Sequence, residues 1–131
     1  MRNAIIFLDS GDTLVDESTE VRIKGDVVDH AEFFPGIKEV LFQLKNAGFR
    51  VALVADGLVE SFDNIYRQHE METYFEVRAI SETVGVCKPA GEMFKTAMEK
   101  MNLEEADKKY IIMIGNNLER DIVGANRMGI T

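Results

Sequence analysis

A three-layer α/β fold, a parallel sheet held between two layers of helix, is the architecture this sequence predicts, and three observations predict it. Four short apolar runs rich in β-prone residues recur along the 131 residues. Each is followed by a stretch with apolar residues at helical spacing, and the connections between them are short. Alternation of that kind builds right-handed βαβ units, hence a parallel sheet with helices on both faces. No internal repeat, low-complexity tract or linker breaks the pattern, so residues 1–131 read as a single domain.

Ala4 to Leu8 is a continuous β-prone run, as expected of a strand buried on both faces. Residues 15 to 34 are polar and acidic without a clear period and read as an irregular excursion. Pro35-Gly36 opens a helix carrying Ile37, Val40, Leu41 and Leu44, stopped by Gly48. Phe49 to Ala55 is a second buried strand, and Asp56-Gly57 a turn. Val59 to His69 reads as a second helix and Val77 to Ile80 as a short third strand. Pro89 starts a third helix, with Met93, Phe94, Ala97, Met98 and Met101 on its core side; these methionines read as packing, not as a cofactor box. Tyr110 to Ile114 is a fourth strand, and after the turn Gly115-Asn116-Asn117 a last helix spans Leu118 to Met128. A helix in that place ordinarily leads into another strand. Either the sheet ends there or a terminal edge strand is absent, and an exposed edge is a place for another chain to pair.

Apolar residues make up 46% of the chain and charged ones 29%, with 15 Lys and Arg against 23 Asp and Glu, a formal charge of −8. That balance disfavours non-specific contact with nucleic acid or an anionic membrane, so a phosphate-bearing substrate needs a local cation. The first apolar run is too short for a secretory signal, and no stretch approaches the roughly 20 apolar residues of a membrane span. Cys87 is the only cysteine. It has no internal disulfide partner, fits a reducing cytoplasm, and reads as a buried or half-buried thiol. His30 and His69 show no partner pattern and read as surface residues.

Ligands of an open parallel sheet bind outside the carboxyl ends of its strands. The residues there are Asp9-Ser10-Gly11-Asp12-Thr13, Asp56-Gly57, Lys88-Pro89 and Gly115-Asn116-Asn117-Leu118-Glu119-Arg120-Asp121. One topology sets Asp9, Lys88, Asn116 and Asp121 around one cleft. A carboxylate at a strand end can attack phosphorus and form an aspartyl phosphate that water then cleaves. Attack of an anion on an anion needs screening. Magnesium takes oxygen ligands, one or two of them carboxylates, which Asp9 and Asp121 would supply, with Asn116 giving a neutral oxygen. Lys88 would hold the charge of the nucleophile and of the phosphoryl group, and main-chain N–H groups around Gly11 and Gly57 would cradle phosphate oxygens. The plainer roles stand beside these: a turn aspartate at Asp9, a helix-start carboxylate at Asp121, a surface lysine at Lys88 and an N-cap at Asn116. Thr13 is expected to support the nucleophile, Glu119-Arg120 to face solvent, and Arg22 and Lys24 to be lesser candidates for reaching substrate.

Asp9-x-Gly11-x-Thr13-Leu14 after an apolar strand, Lys88-Pro89 and Gly115-Asn116-x-x-x-x-Asp121, in that order, resemble the haloacid dehalogenase superfamily of hydrolases. Pro35-Gly36, Val84-Gly85-Val86-x-Lys88-Pro89 and Gly124-Ala125-Asn126 before Gly129 extend the likeness over nearly the whole chain. The resemblance implies a Rossmann-like core with the nucleophile strand central, magnesium, and most often phosphomonoester hydrolysis. Carried over residue by residue, it implies Asp9 and Lys88 as catalytic and Asp9, Gly11, Asn116 and Asp121 around the metal. Ser10, Gly11, Asp12, Ala55, Asp56, Gly57 and Lys88 would lie around the phosphate. The sequence departs from the family pattern three times. Gly11 stands where the general acid Asp is usual, as it does in many members; Ala55 replaces a phosphate-binding Ser or Thr; Asn116 replaces a metal-binding Asp. Asp12 is a poor substitute acid, because an adjacent residue on an extended chain points the other way.

A magnesium-dependent phosphatase working through Asp9 is therefore the leading expectation. A binding or regulatory module with weak or no turnover is the alternative that the three departures motivate, and a dehalogenase ranks third. No G-x-G-x-x-G follows the first strand to support a nucleotide cofactor. Relatives often carry a cap domain after the first or third strand, but the 20 residues from Val15 to Phe34 leave no room for a substantial one. An uncapped cleft implies a phosphorylated substrate large enough to cover the site, or a second subunit that does so, hence a homo-oligomer.

Overall fold

Alternate residues of a strand face opposite sides of its sheet, and in the central strands of this chain both sides are apolar. The computed structural model describes residues 2–131. Strands β1 (Ile5–Leu8), β4 (Arg50–Ala55), β5 (Val77–Ile80) and β6 (Ile111–Ile114) form one parallel sheet in the order β5-β4-β1-β6. Ile6, Leu8, Val51 and Leu53 pack to one side with Leu41, Phe62, Ile65 and Tyr66 of the helices α1 (Ile37–Asn46) and α2 (Val59–Gln68). Ile5, Phe7, Ala52 and Val54 pack to the other side, on Met93, Phe94, Ala97 and Met98 of α4 (Gly91–Lys100). These are the three layers expected, with the methionines in the core. Among the described residues no helix is long and apolar enough to cross a membrane.

The excursion of residues 15 to 34 is where the fold departs most from expectation. It is an antiparallel ribbon of β2 (Val15–Val21) and β3 (His30–Phe33), with its register broken between Asp16 and Val21. Val15, Val28 and Ala31 are buried beneath it. A two-stranded ribbon is marginal alone, and α2 supplies what it lacks. Ser61 Oγ accepts from the Val28 N–H (2.9 Å), Asn64 Nδ2 donates to the Val28 carbonyl (2.9 Å), and Gln68 Oε1 accepts from the Ala31 N–H (3.0 Å). His69 Nε2 lies 2.8 Å from the Ala31 carbonyl, so His69 is a half-buried support and not the surface residue expected.

Three smaller differences follow from local packing. A short helix α3 (Ser81–Val84) follows β5 directly. The last helix begins as a wide π-helical turn, Leu118–Val123, before α5 (Gly124–Arg127); such turns shift side-chain register and are often found at functional sites. Cys87 is exposed in the loop before α4, which corrects the expectation of a buried thiol: its neighbour Lys88 turns inward instead.

Candidate active site

Asp9 is the first residue beyond β1, and its N–H still donates to the Ile114 carbonyl of β6 (3.0 Å), which fixes the backbone at the carboxyl edge of the sheet. Lys88 reaches the same point from the loop before α4. Its N–H donates to Asp56 Oδ1 (2.9 Å), and its ammonium donates to Asp9 Oδ1 (2.9 Å), Asp121 Oδ1 (2.6 Å) and the Val54 carbonyl (2.8 Å). An ammonium has three protons, and all three are used. The Lys88 side chain is 1% exposed, as is that of Asp121.

Asp121 is drawn inward by the π-helical turn. Asn117 caps that turn, its Oδ1 accepting from the Arg120 N–H (2.9 Å), and the Asn117 N–H donates to Asp121 Oδ2 (3.0 Å). The cap is thus Asn117, which leaves the Asn116 side chain free to face the cleft. Thr13 Oγ1 donates to Asp9 Oδ2 (3.1 Å) and lies 3.5 Å from Asn116 Oδ1. The one hydroxyl proton of Thr13 goes to Asp9, the nearer acceptor, with the Asn116 oxygen alongside.

Gly115 is required by close approach. A Cβ at this position would overlap Asp121 Oδ2 and Cγ, and the buried carboxylate has no free direction in which to retreat. Gly115→Ala is therefore expected to dislodge Asp121 from Lys88 and to cost about 3 kcal/mol or more, combining overpacking with a broken buried pair. A urea titration measures it; a midpoint equal to that of the parent would show that the loop absorbs the methyl.

The cleft these residues line has a volume of about 150 Å³. Of the residues expected there, it brings together Asp9, Gly11, Asp56, Lys88, Asn116 and Asp121. It does not take in four others in the way the sequence suggested. The hydroxyl of Ser10, 1% exposed, is paired with Tyr66 Oη (2.8 Å) and points into the core. Asp12 is exposed, with φ of 56°, and its Oδ1 accepts from the Glu17 N–H (2.9 Å). Ala55 packs its methyl in the core beside Leu53 and presents no polar side-chain atom. Gly57 borders an adjoining cavity, and its N–H is committed to Ser81 Oγ (2.8 Å) instead of to a bound phosphate.

Three cleft residues escaped the sequence reading: Glu17, Asn117 and Arg120. Arg120 had been assigned to a solvated face. It stands at the mouth with Nη1 3.9 Å from Asp56 Oδ2, still more than half exposed. Glu17 comes from β2, in the segment that showed no period.

Four carboxylates, Asp9, Glu17, Asp56 and Asp121, face two cations, Lys88 and Arg120, so the cleft carries a formal excess of two negative charges. Burial raises the Asp9 pKa above its ordinary value; the Lys88 ammonium opposes this and the Asp121 charge reinforces it. Glu17 is exposed at the cleft mouth, and partial desolvation raises its pKa too, helped by Asp12, Glu20 and Asp9. Asp9, Asn116 and Gly11 line the cleft together, and their side-chain and main-chain oxygens would hold a metal ion there; among the described residues no three His, Cys, Asp or Glu side chains cluster to hold one by themselves. That donor set fits magnesium, which keeps several waters and needs only one or two carboxylates. A site with excess negative charge also suits a divalent cation better than a bare phosphate dianion.

The haloacid dehalogenase-like hydrolase family pattern matches residues 4–129. A glyceraldehyde 3-phosphate phosphatase of Pyrococcus abyssi is 35% identical over 97 residues, 73% of this chain and 39% of that protein. A pyrimidine 5'-nucleotidase of Escherichia coli, YjjG, is 35% identical over 96 residues, 73% of this chain and 41% of its own length. The chain thus spans about two fifths of the length of these curated relatives. Among solved structures, a hydrolase of the same superfamily from Ehrlichia chaffeensis superposes with a TM-score of 0.81 at 18% identity, covering 99% of this chain and 86% of that one. That likeness concerns the fold alone.

Proposed function

We infer, from the membership of this chain in the haloacid dehalogenase-like hydrolases and from the Asp9–Lys88–Asp121 cluster at the carboxyl edge of the sheet, that it hydrolyses a phosphomonoester through an aspartyl phosphate on Asp9. The observation that carries the reading is the lysine. A fully used ammonium clamps one oxygen of this largely buried carboxylate, while Thr13 clamps the other. The carboxylate is thereby held in one orientation and its charge is screened, which is what attack on a phosphorus dianion requires. Arg120 at the mouth supports a second contact to phosphate oxygens, in place of the Ala55 side chain and the Gly57 amide.

Magnesium, held by Asp9, Asn116 and the Gly11 main chain, would supply the positive charge that offsets the approaching dianion. Asp121 supports that site indirectly in this reading: it holds the Lys88 ammonium that in turn clamps Asp9, with its other oxygen on the Asn117 N–H. The substrate class that fits is a phosphorylated small molecule, as the names of the curated relatives suggest, and the setting that fits the lone exposed cysteine is the cytoplasm.

The test is phosphate release from 4-nitrophenyl phosphate. Release that stops on chelation and returns with magnesium is the expected result, with a loss of about 100-fold or more on metal removal. Release indifferent to chelator removes the metal from the account. Asn116 and Ala55 motivate the competing reading, a module that binds phosphate without turning it over. Beryllofluoride binding with no phosphate release across a broad substrate panel would establish that alternative.

A further inference from the structure

We propose that Glu17, on the β2 ribbon, is the proton donor to the leaving group, standing in the space that the missing side chain of residue 11 would occupy. This rests on the phosphatase reading above. A Cβ built on Gly11 would lie 2.9 Å from Glu17 Cδ and 3.2 Å from Cγ, and would overlap Oε1. The carboxyl group of a residue six positions later therefore fills the volume into which a side chain at position 11 would project.

A second observation is independent of the first. The phosphate-sized cleft adjoins a cavity of about 330 Å³ bounded by the ribbon and the start of α2, where Arg22, Val28 and Phe62 lie. Among the described residues only Gly11, Glu17 and Asp56 line both spaces. A substrate with its phosphate at Asp9 and its organic part in the larger cavity has its bridging oxygen between the two. A proton donor belongs at that boundary. Gly11 has no side chain, and Asp56 has Oδ1 committed to the Lys88 N–H with Oδ2 turned toward Arg120. Glu17 is the group that remains. Its backbone is pinned where it must be, the N–H donating to Asp12 Oδ1. That contact also accounts for Asp12: it positions the ribbon and takes no part in the chemistry.

The step balances. An Asp9 carboxylate oxygen forms a bond to phosphorus as the bond from phosphorus to the bridging oxygen breaks. The electron pair stays on that oxygen, which takes the proton of the Glu17 carboxyl and departs as an alcohol. The Glu17 carboxylate then takes a proton from the water that attacks the aspartyl phosphate, releasing inorganic phosphate and restoring both side chains.

Leaving-group dependence tests this, because an alkoxide needs a proton and a nitrophenolate does not. Glu17→Gln is expected to lower kcat/KM for glycerol 2-phosphate about 100-fold, within the range of general acid catalysis, and to lower that for 4-nitrophenyl phosphate at least about tenfold less. A second pair keeps the question answerable should that variant fold poorly. Gly11→Asp in a Glu17→Ala background restores a carboxyl in the same space, and is expected to recover glycerol 2-phosphate hydrolysis about tenfold or more over Glu17→Ala alone. Equal losses on the two substrates in Glu17→Gln would overturn the inference while leaving the phosphatase reading intact. No phosphate release from either substrate by the parent protein overturns both.

Discussion

Asp9→Asn is expected to lower kcat/KM on an aryl phosphate about 10³-fold or more, the scale on which nucleophile loss acts, and yet to melt no lower than the parent protein in metal-free buffer. The two halves have one cause. Asp9, Lys88 and Asp121 place two carboxylates on one buried ammonium, so one negative charge is in excess. Its cost shows as the raised pKa of Asp9, caused first by desolvation and also by Asp121. A carboxylate whose folded pKa is raised holds its proton more tightly in the folded state. Its ionisation therefore weakens the fold above that pKa, and the penalty disappears as pH falls through it. An amide of the same shape removes the charge and leaves Lys88 paired with Asp121. The stability advantage of Asp9→Asn should accordingly be largest near neutral pH and fade as acid protonates Asp9 in the parent. Thermal melts over that range, alongside phosphate release, check both halves; a variant that melts well below the parent at neutral pH would contradict the charge argument.

Lys88→Met should show the opposite balance. Methionine replaces the apolar stem of lysine with little change of volume, so packing is roughly conserved while the ammonium is lost. Asp9 and Asp121 then share a buried site with no cation, and Asp121, 1% exposed, has no route to water. Removing one partner of a buried pair costs about 3–5 kcal/mol, and here one removal strands two carboxylates. Urea unfolding at neutral pH measures it, and the deficit should shrink as pH is lowered, because protonated carboxyl groups need no counter-charge. Adding Asp121→Asn to Lys88→Met should return part of the loss, since the two side chains are in direct contact and their effects cannot be additive. A deficit below about 1 kcal/mol for Lys88→Met would mean that the carboxylates find other partners, against the burial described. Phosphate release should fall in either variant, with the nucleophile no longer held.

The parts of this fold that were legible from sequence share one property. β1 and β4 lie inside the sheet and are buried on both faces, so their residues are apolar with hardly an interruption and stand out from any background; β6, at the sheet edge, is equally apolar although Ile112 and Ile114 are exposed on one side. The chemical residues at their carboxyl ends follow from the topology, which is why Asp9, Lys88, Asn116 and Asp121 could be set around one cleft from sequence. The ribbon was illegible for the reverse reason. Its few buried apolar residues, Val15, Val28 and Ala31, are scattered among polar ones, and part of its hold on the core is main-chain hydrogen bonding to Ser61, Asn64 and Gln68 of α2. Its register is also broken between Asp16 and Val21, so period-two alternation never builds up. Glu17 was hidden with it, and the signal that pointed there was indirect: a glycine at position 11, where a side chain was wanted. The placement of Ser10 and Gly57 beside the cleft was not legible for a third reason. Sequence position places a residue at the rim of a site, but whether the Ser10 hydroxyl or the Gly57 N–H faces inward depends on partners far along the chain, here Tyr66 and Ser81.

The stitching of the ribbon to α2 has a kinetic meaning. A flap that swings over its substrate must lose conformational freedom on every cycle, and opening it again can limit the rate. The ribbon bearing Glu17 gives up part of that freedom once, when the chain folds, because its second strand β3 and Val28 just before it are tied to a helix that the core already holds. What such a site forgoes is the exclusion of bulk water, and what it gains is a reacting geometry that stands ready before any substrate arrives.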